Sequence, residues 1–288
     1  MHSENNGKFD IRGFAVDLRE DIDQNRIKLP TLPGISLEAL LIVNDVDSSM
    51  ADVAGVVNKD TSMAARLVRY ANSPLYRGVS SVSSVKAAIT RIGFDAVKHA
   101  ILSLAMKDVF TTPFISIRDR MEGLWRHSVA VAAKSVLLAA HFHHLNRDEA
   151  MLAGLIHDIG VIPILLKAKN YSQLLERESH LDKVIDLLHM STGKFMLSHW
   201  NFDPVMIEVA GNSDRLDREP GGSEVDYVDI VQVANILSYE GSDRHYDASV
   251  LKRVPAAQRL GIELISGVQE EMVESGDEDE LSVVLSTE

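Results

Sequence analysis

The stretch with the most chemical content is Ala153-Gly154-Leu155-Ile156-His157-Asp158-Ile159-Gly160, an apolar, small-residue helical turn that ends in a His-Asp pair and a glycine. Adjacent imidazole and carboxylate groups at a helix end can grip one metal ion together. A hydrolytic metal needs protein ligands that are fixed and at least one position open for water, whose pKa it lowers. His157 and Asp158 supply two ligands. The third candidate is His127, thirty residues earlier, with Leu124 and Val131 on its own helical face, which points it inward. Ala153 and Gly154 lie one turn before His157 and are small enough for a neighbouring helix to approach closely.

Composition limits what else could act there. The chain has no cysteine, which excludes disulfides, thiol nucleophiles and cysteine-ligated zinc or iron–sulfur centres, so any metal must be held by His and carboxylates. Hydrophobic residues are 45% and charged residues 25% of 288, an ordinary soluble balance at a length where two lobes are expected. The net charge of -13 argues against gripping a nucleic-acid backbone. Nine acids and no Lys or Arg lie between Leu260 and Glu288, so removing that -9 leaves -4 for the rest. The segment 266–288 therefore reads as a solvated, disordered acidic tail. No run approaches the roughly 18 apolar residues of a membrane span, and Met1-His2-Ser3-Glu4 does not begin a signal peptide. The expected location is cytoplasmic, with neither membrane nor nucleic acid as partner.

The elements that must position these residues are helical throughout. Apolar residues recur three to four apart from Phe14 to Asp23, and Ser36, Ser48 or Ser49, Thr61 and Ser84 stand where helix caps belong. Gly93 stops one helix and Thr111-Thr112-Pro113 marks a boundary, so the reading is a segment 1–26, a helical lobe 27–112 and a second lobe 113–265. Ile117 to Phe142 forms one long helix carrying His127. The cluster His141-Phe142-His143-His144 at its end reads as a solvated turn, because consecutive helical residues point in different directions. Asn146 with Glu149 forms a capping box that opens the helix delivering His157 and Asp158. No alternating strand pattern of useful length is present, so the chain is expected to be all-α.

His127 followed by His157-Asp158-Ile159-Gly160 resembles the motif of the HD superfamily of metal-dependent phosphohydrolases. The N-terminal half narrows the likeness. Leu29-Pro30-Thr31-Leu32-Pro33, Asp60, the segment Leu67 to Asn72-Ser73, Ala88-Ile89, Ile92-Gly93 and Leu124-Trp125-Arg126-His127-Ser128 resemble the HDOD family, HD-related output domains of bacterial signalling proteins. The similarity runs from about Ile27 to Tyr239, with Thr61 where the family usually has proline. It implies two helical lobes, the second HD-like, and a regulatory output made by contact with a signalling protein.

The resemblance also implies a fourth ligand, an Asp on a late helix, and this chain has Asn235 in the matching Ile230-Val231-Gln232-Val233-Ala234-Asn235. An amide oxygen ligates weakly and gives no charge compensation. At 100° per residue, Asp229 stands about 240° and Asp226 about 180° round the helix from Asn235, so neither shares its face. Asp243 has a better angle, but Gly241 ends the helix first. The family's downstream His-His pair falls at Gly211-Asn212, and His189 matches an upstream histidine with nothing to suggest that it completes a second site. The expectation is that His127, His157 and Asp158 form a vestigial metal site, with Asn235 at the fourth position and all four joined in a buried hydrogen-bonded network. On this reading no residue is catalytic, no cofactor is required beyond weak binding of a divalent metal, and binding residues stay unassigned. The alternatives are an HD-type phosphohydrolase acting on a nucleotide or cyclic dinucleotide, with Arg126 and Lys167 as the nearest basic residues, and a nucleotide sensor using the former cleft.

Overall fold

The computed structural model describes residues 9–24, 26–27, 34–43, 48–219, 222–239, 248–275 and 277–286. Among them every regular element is a helix, as the sequence pattern requires. The connector 29–33, Gly241 and Asp243 lie outside the described residues.

The first five helices are α1 (Ile11–Asp23), α2 (Gly34–Val43), α3 (Met50–Val57), α4 (Thr61–Ala71) and α5 (Val85–Ile92). Ser49 opens α3 in a capping box with Asp52, and the Ser84 hydroxyl accepts from the Ala87 amide at the start of α5. Two expected caps shift. Asp60, not Thr61, caps α4, because its carboxylate accepts from the amides of both Ser62 and Met63. The second helix begins at Gly34, two residues before Ser36. Gly93 ends α5 with a φ of 96°, a conformation that side-chain-bearing residues rarely adopt. The chain then turns directly into α6 (Phe94–Val109).

The second half is built on α7 (Ile115–Ala139) and α8 (Arg147–Ile156), which pack closely along their lengths. Their contact depends on small residues. A Cβ at Gly154 would stand 2.6 Å from the Ala132 Cα and 2.8 Å from the Ala132 nitrogen, so only glycine lets α8 lie this near α7. Asn146 caps α8, accepting from the amides of Asp148 and Glu149, but the expected box with Glu149 does not close, since the Asn146 backbone amide donates to the Tyr227 hydroxyl, which donates in turn to Glu149. The remaining helices are α9 (Val161–Ala168), α10 (Ser172–Leu175), α11 (Glu178–His199), α12 (Pro204–Asn212), α13 (Tyr227–Ser238), α14 (Ala248–Leu251), α15 (Pro255–Leu260), α16 (Ile262–Ser275) and α17 (Asp277–Ser286).

Buried side chains from Phe14 to Leu285 form one continuous cluster. The stretch Arg147–Ala168 is long and apolar enough to cross a membrane by length and composition, and 89% of its most apolar window is buried inside the fold. The two halves are stitched across α4 and α8. Asp148, buried near the start of α8, accepts a 2.6 Å hydrogen bond from the Tyr70 hydroxyl and another from Tyr76. Burial raises the Asp148 carboxyl above its usual range, against the pull of the two tyrosine hydroxyls.

The acidic segment corrects the expectation of a disordered tail. Residues 262–275 and 277–286 are helical, and Ile265, Val268, Leu281 and Leu285 are buried. Leu281 and Leu285 are four apart and share a helical face, a stripe that high local charge hides from a composition count. The histidine cluster is an exposed turn, as the sequence reading has it, but it lies wholly beyond its helix. Its helix ends at Ala139, and the His144 Nε2 sits 2.8 Å from the Val225 carbonyl.

Candidate metal centre

His157 closes α8 and Asp158 begins a tight turn into α9, held by amide-to-carbonyl bonds from Ile159 to Ile156 and from Val161 to Asp158. This turn presents both side chains to α7, where His127 waits. The three residues come together as the sequence predicts: the His157 and His127 Nε2 atoms lie 3.4 and 3.7 Å from the Asp158 Oδ2. His189 joins from the other side, its Nε2 3.8 Å from the Asp158 Oδ1. Gly160 makes this possible, since α9 and α11 touch backbone to backbone beside it.

A fifth group was not visible in the sequence. Asp214, in the turn after α12, places its Oδ2 3.2 Å from the His189 Nε2. The ligating atoms therefore fall into two groups that share Asp158: His127, His157 and Asp158, and Asp158, His189 and Asp214, each with its atoms within 4.8 Å of one another. The substitute carboxylate does not come from the Asn235 helix. Asp226 caps α13 and Asp229 is buried against Arg218 and Arg259, so both are structural, while the useful acid arrives from a different element. The one signal available was its position, two residues after the Gly211-Asn212 pair.

Asn235 does not bond an imidazole, as a closed network would need. Its Nδ2 donates to the Asp214 Oδ1 at 2.8 Å and so orients that carboxylate toward His189. The imidazoles are fixed from behind. The His157 Nδ1 lies 2.7 Å from the Gly154 carbonyl and the His189 Nδ1 lies 2.8 Å from that of Ile185. A carbonyl can only accept, so both Nδ1 atoms carry protons and both Nε2 atoms face Asp158. His127 stacks on Tyr239 with ring centroids 5.0 Å apart, and the Ser238 hydroxyl is 3.4 Å from its Nδ1.

This geometry fits a cation site. In the neutral rings the Nε2 lone pairs point at a carboxylate, an arrangement that is repulsive without a positive charge between them. The Nε2 atoms of His157 and His189 are buried, and among the described residues they face carboxylate oxygens 3.2–3.8 Å away. Ligands held about 2.0–2.2 Å from one ion stand about 3.0–3.5 Å from each other, close to the separations seen. Backbone carbonyls behind metal-bound imidazoles are the usual orienting partners. Three imidazoles with two carboxylates suit a borderline divalent ion, so the residues fit a metal.

Without a metal, protons must do the same work. Burial opposes a charge on His189, but its hydrogen bond to Asp214 and the charges of Asp158 and Asp214 win, pushing the ring up to about 9. Burial likewise opposes a charge on His157, yet Asp158 and the Gly154 carbonyl raise it. Burial would raise Asp158, but the three surrounding histidines hold it well below the usual carboxylate range. A raised histidine stabilises the fold fully below its unfolded value near 6.5, and that contribution fades as pH climbs through 9. The urea midpoint of metal-stripped protein is therefore expected to fall between about pH 6.5 and 9, and His189→Gln should flatten the fall. A midpoint that rises or stays level across that window would show that His189 is not held charged.

Lys167 is not a solvated basic residue. It is buried, with its Nζ 2.5 Å from the Asp21 Oδ2, and it ties α9 to α1.

Comparison with known proteins follows the same line. The family model for the HDOD domain matches residues 29–215. The chain belongs to the HDOD family. Among solved structures it is similar to a protein from Shewanella amazonensis SB2B provisionally named a metal-dependent phosphohydrolase, with 24% identity, a TM-score of 0.80, and coverage of 96% of this chain and 99% of that one. It is also similar to an HDOD domain protein of unknown function from Geobacter sulfurreducens, at 23% identity and TM-score 0.71, covering 96% and 98%. A provisionally named signal transduction protein from Marinobacter aquaeolei VT8 aligns at 17% identity and TM-score 0.65, covering 98% of this chain and 68% of that one. At these identities the likeness shows a shared fold. No curated protein matches the HDOD chain.

Proposed function

We propose that this HDOD protein is a signalling module whose output is contact with a protein partner and not hydrolysis, and that its His/Asp centre holds a divalent ion as a structural joint. The observation that carries the reading is how closed the centre is. The side chains of His157, His189, Asp158 and His127 are 0, 5, 14 and 17% exposed, so four of the five groups are withdrawn from solvent and the centre opens only at Asp214, which is 44% exposed. Arg126 beside His127 is exposed, and three other basic side chains on the surrounding elements are already engaged. Lys194 pairs with Glu208, Arg218 with Asp226 and Asp229, and Arg215 donates to the Asn212 side chain. His127, His157 and Asp158 would hold one ion, and Asp158, His189 and Asp214 a second. A divalent ion bound there would supply charge to hold Asp158 and Asp214 and, if open to solvent, acidify a bound water.

A second reading, a metal-dependent phosphohydrolase acting on a nucleotide or cyclic dinucleotide, is favoured by that same shared carboxylate, since paired ions are a common device for phosphoryl chemistry. The name given to the Shewanella neighbour points the same way. Metal analysis of the purified protein combined with an assay on bis(p-nitrophenyl) phosphate under added manganese separates the two. The expected result is bound divalent metal and no turnover above that of His157→Ala. Turnover that disappears in His157→Ala would overturn the contact reading.

A further inference from the structure

The acidic C-terminal region ends in a helix whose placement is specific. Helix α17 lies across α4, α6 and α7, so it bridges elements from both halves of the molecule, including the helix that carries His127. It is held on one face by Leu281 and Leu285, one helical turn apart and buried, with Val284 packed beside them. Glu280, one residue before the first leucine, pairs with Arg77 of the loop after α4. The opposite face is exposed, as at Val283.

These contacts describe a helix that joins the core through one face only. Ten residues are too few to form a stable helix alone in water, so α17 is helical because the groove makes it so. Both partners of the Arg77–Glu280 pair are more than half exposed, and such a pair adds little to holding the helix down. The neighbouring segment brings seven acids between Glu270 and Glu280 with no Lys or Arg among them, and the groove offers Arg77 in return.

We propose that α17 is a self-ligand: it occupies a helix-docking groove formed by α4, α6 and α7, and a partner helix of the same chemistry displaces it. The partner is an amphipathic helix with two leucines four apart and an acid immediately before the first. This recognition is a helix laid into an apolar groove, with anchors at i and i+4 and an acidic rim. Tethering places α17 at an effective concentration on the order of millimolar, so the resting protein keeps the groove covered against weak ligands. The inference rests on the reading that output runs through protein contact, and it names the surface that makes it.

Hydrogen exchange on the full chain is the first test. Amides of α17 are expected to exchange at least about a hundredfold faster than those of buried α7, through local opening that leaves the core folded. Exchange as slow as that of α7 would overturn the proposal. The second test is a helix-stapled peptide of residues 277–286 added to the full chain and to Leu281→Asp/Leu285→Asp. Affinity is expected to be at least about tenfold tighter for the variant, where the groove is vacant, and to fall again when Arg77→Glu is added. If the double aspartate variant fails to fold, Leu281→Ala takes its place. Equal affinity for wild type and variant, binding to neither, or concentration-dependent dimers that exchange α17 would each overturn the groove. Turnover in the phosphatase assay would overturn the contact reading and leave these outcomes unaffected.

Discussion

Replacing Gly160 with alanine should destabilise the protein by about 3 kcal/mol or more, among the largest effects of any single methyl group in this chain. The added Cβ would stand 2.0 Å from the His189 carbonyl oxygen, 2.4 Å from the Gly193 nitrogen and 2.9 Å from its Cα. All three are backbone atoms, so no rotamer change relieves the clash and α9 must separate from α11. Nor can Gly193 give way on its own, because its Cβ position already faces Ala210 at 3.3 Å. Backbone conformation is not the reason for the glycine, since its φ of -66° is open to any residue. In a domain of this size the loss corresponds to a melting temperature lower by roughly 6–12 °C. Because His189 travels with α11, metal retention should fall as well. A melting curve matching the wild type would mean that the two helices do not touch at this point.

Asp158→Ala is expected to cost about 3 kcal/mol at pH 7 in metal-stripped protein, by removing the one anion shared by three inward-facing imidazoles. His157 and His189 would stay buried with their Nδ1 protons committed to backbone carbonyls and no carboxylate at Asp158 in front of them. His157 should then lose the charge that Asp158 favours, while His189 keeps part of its own from Asp214, and the pH dependence above 6.5 should weaken accordingly. Asp158→Asn keeps the shape and loses the charge, so it should fall between alanine and wild type. Urea denaturation at pH 7 with and without zinc reads both effects, because an ion that binds only the folded state raises the midpoint in wild type and not in either variant. Equal midpoints for all three proteins in both conditions would count against a functional role for the cluster.

Much of this was legible in the residues. Helical spacing located the long elements, and Ser49, Ser84 and Asn146 could be read as caps because capping is a local, short-range bond. The His127, His157 and Asp158 triad was also readable, since one face of one helix and the end of another supply it. Asp214 was not. It sits in a turn with no periodicity, and only the packing of α12 against α11 brings it to His189. Helix angle excludes Asp226 and Asp229 on α13 but carries no information about acids on other elements. The role of His189 is hidden for the same reason, since its partner Asp214 is distant in sequence. The acidic segment failed differently, because its seven charges outweighed two leucines in any average over composition, while folding responds to the face those leucines share.

Helix α8 carries an acid at each end. Asp148 is gripped by Tyr70 and Tyr76 from the first half of the molecule, and Asp158, just past the other terminus, anchors the histidines. Ten residues of helix make a stiff strut about 15 Å long between the two carboxylates. A twist of the amino-terminal helices cannot be absorbed by a loop there, so it must arrive at the histidines as a displacement. Loading or emptying the centre should, by the same rigidity, change the ring environment of Tyr70, which makes that phenol a natural reporter of what the distant imidazoles are holding.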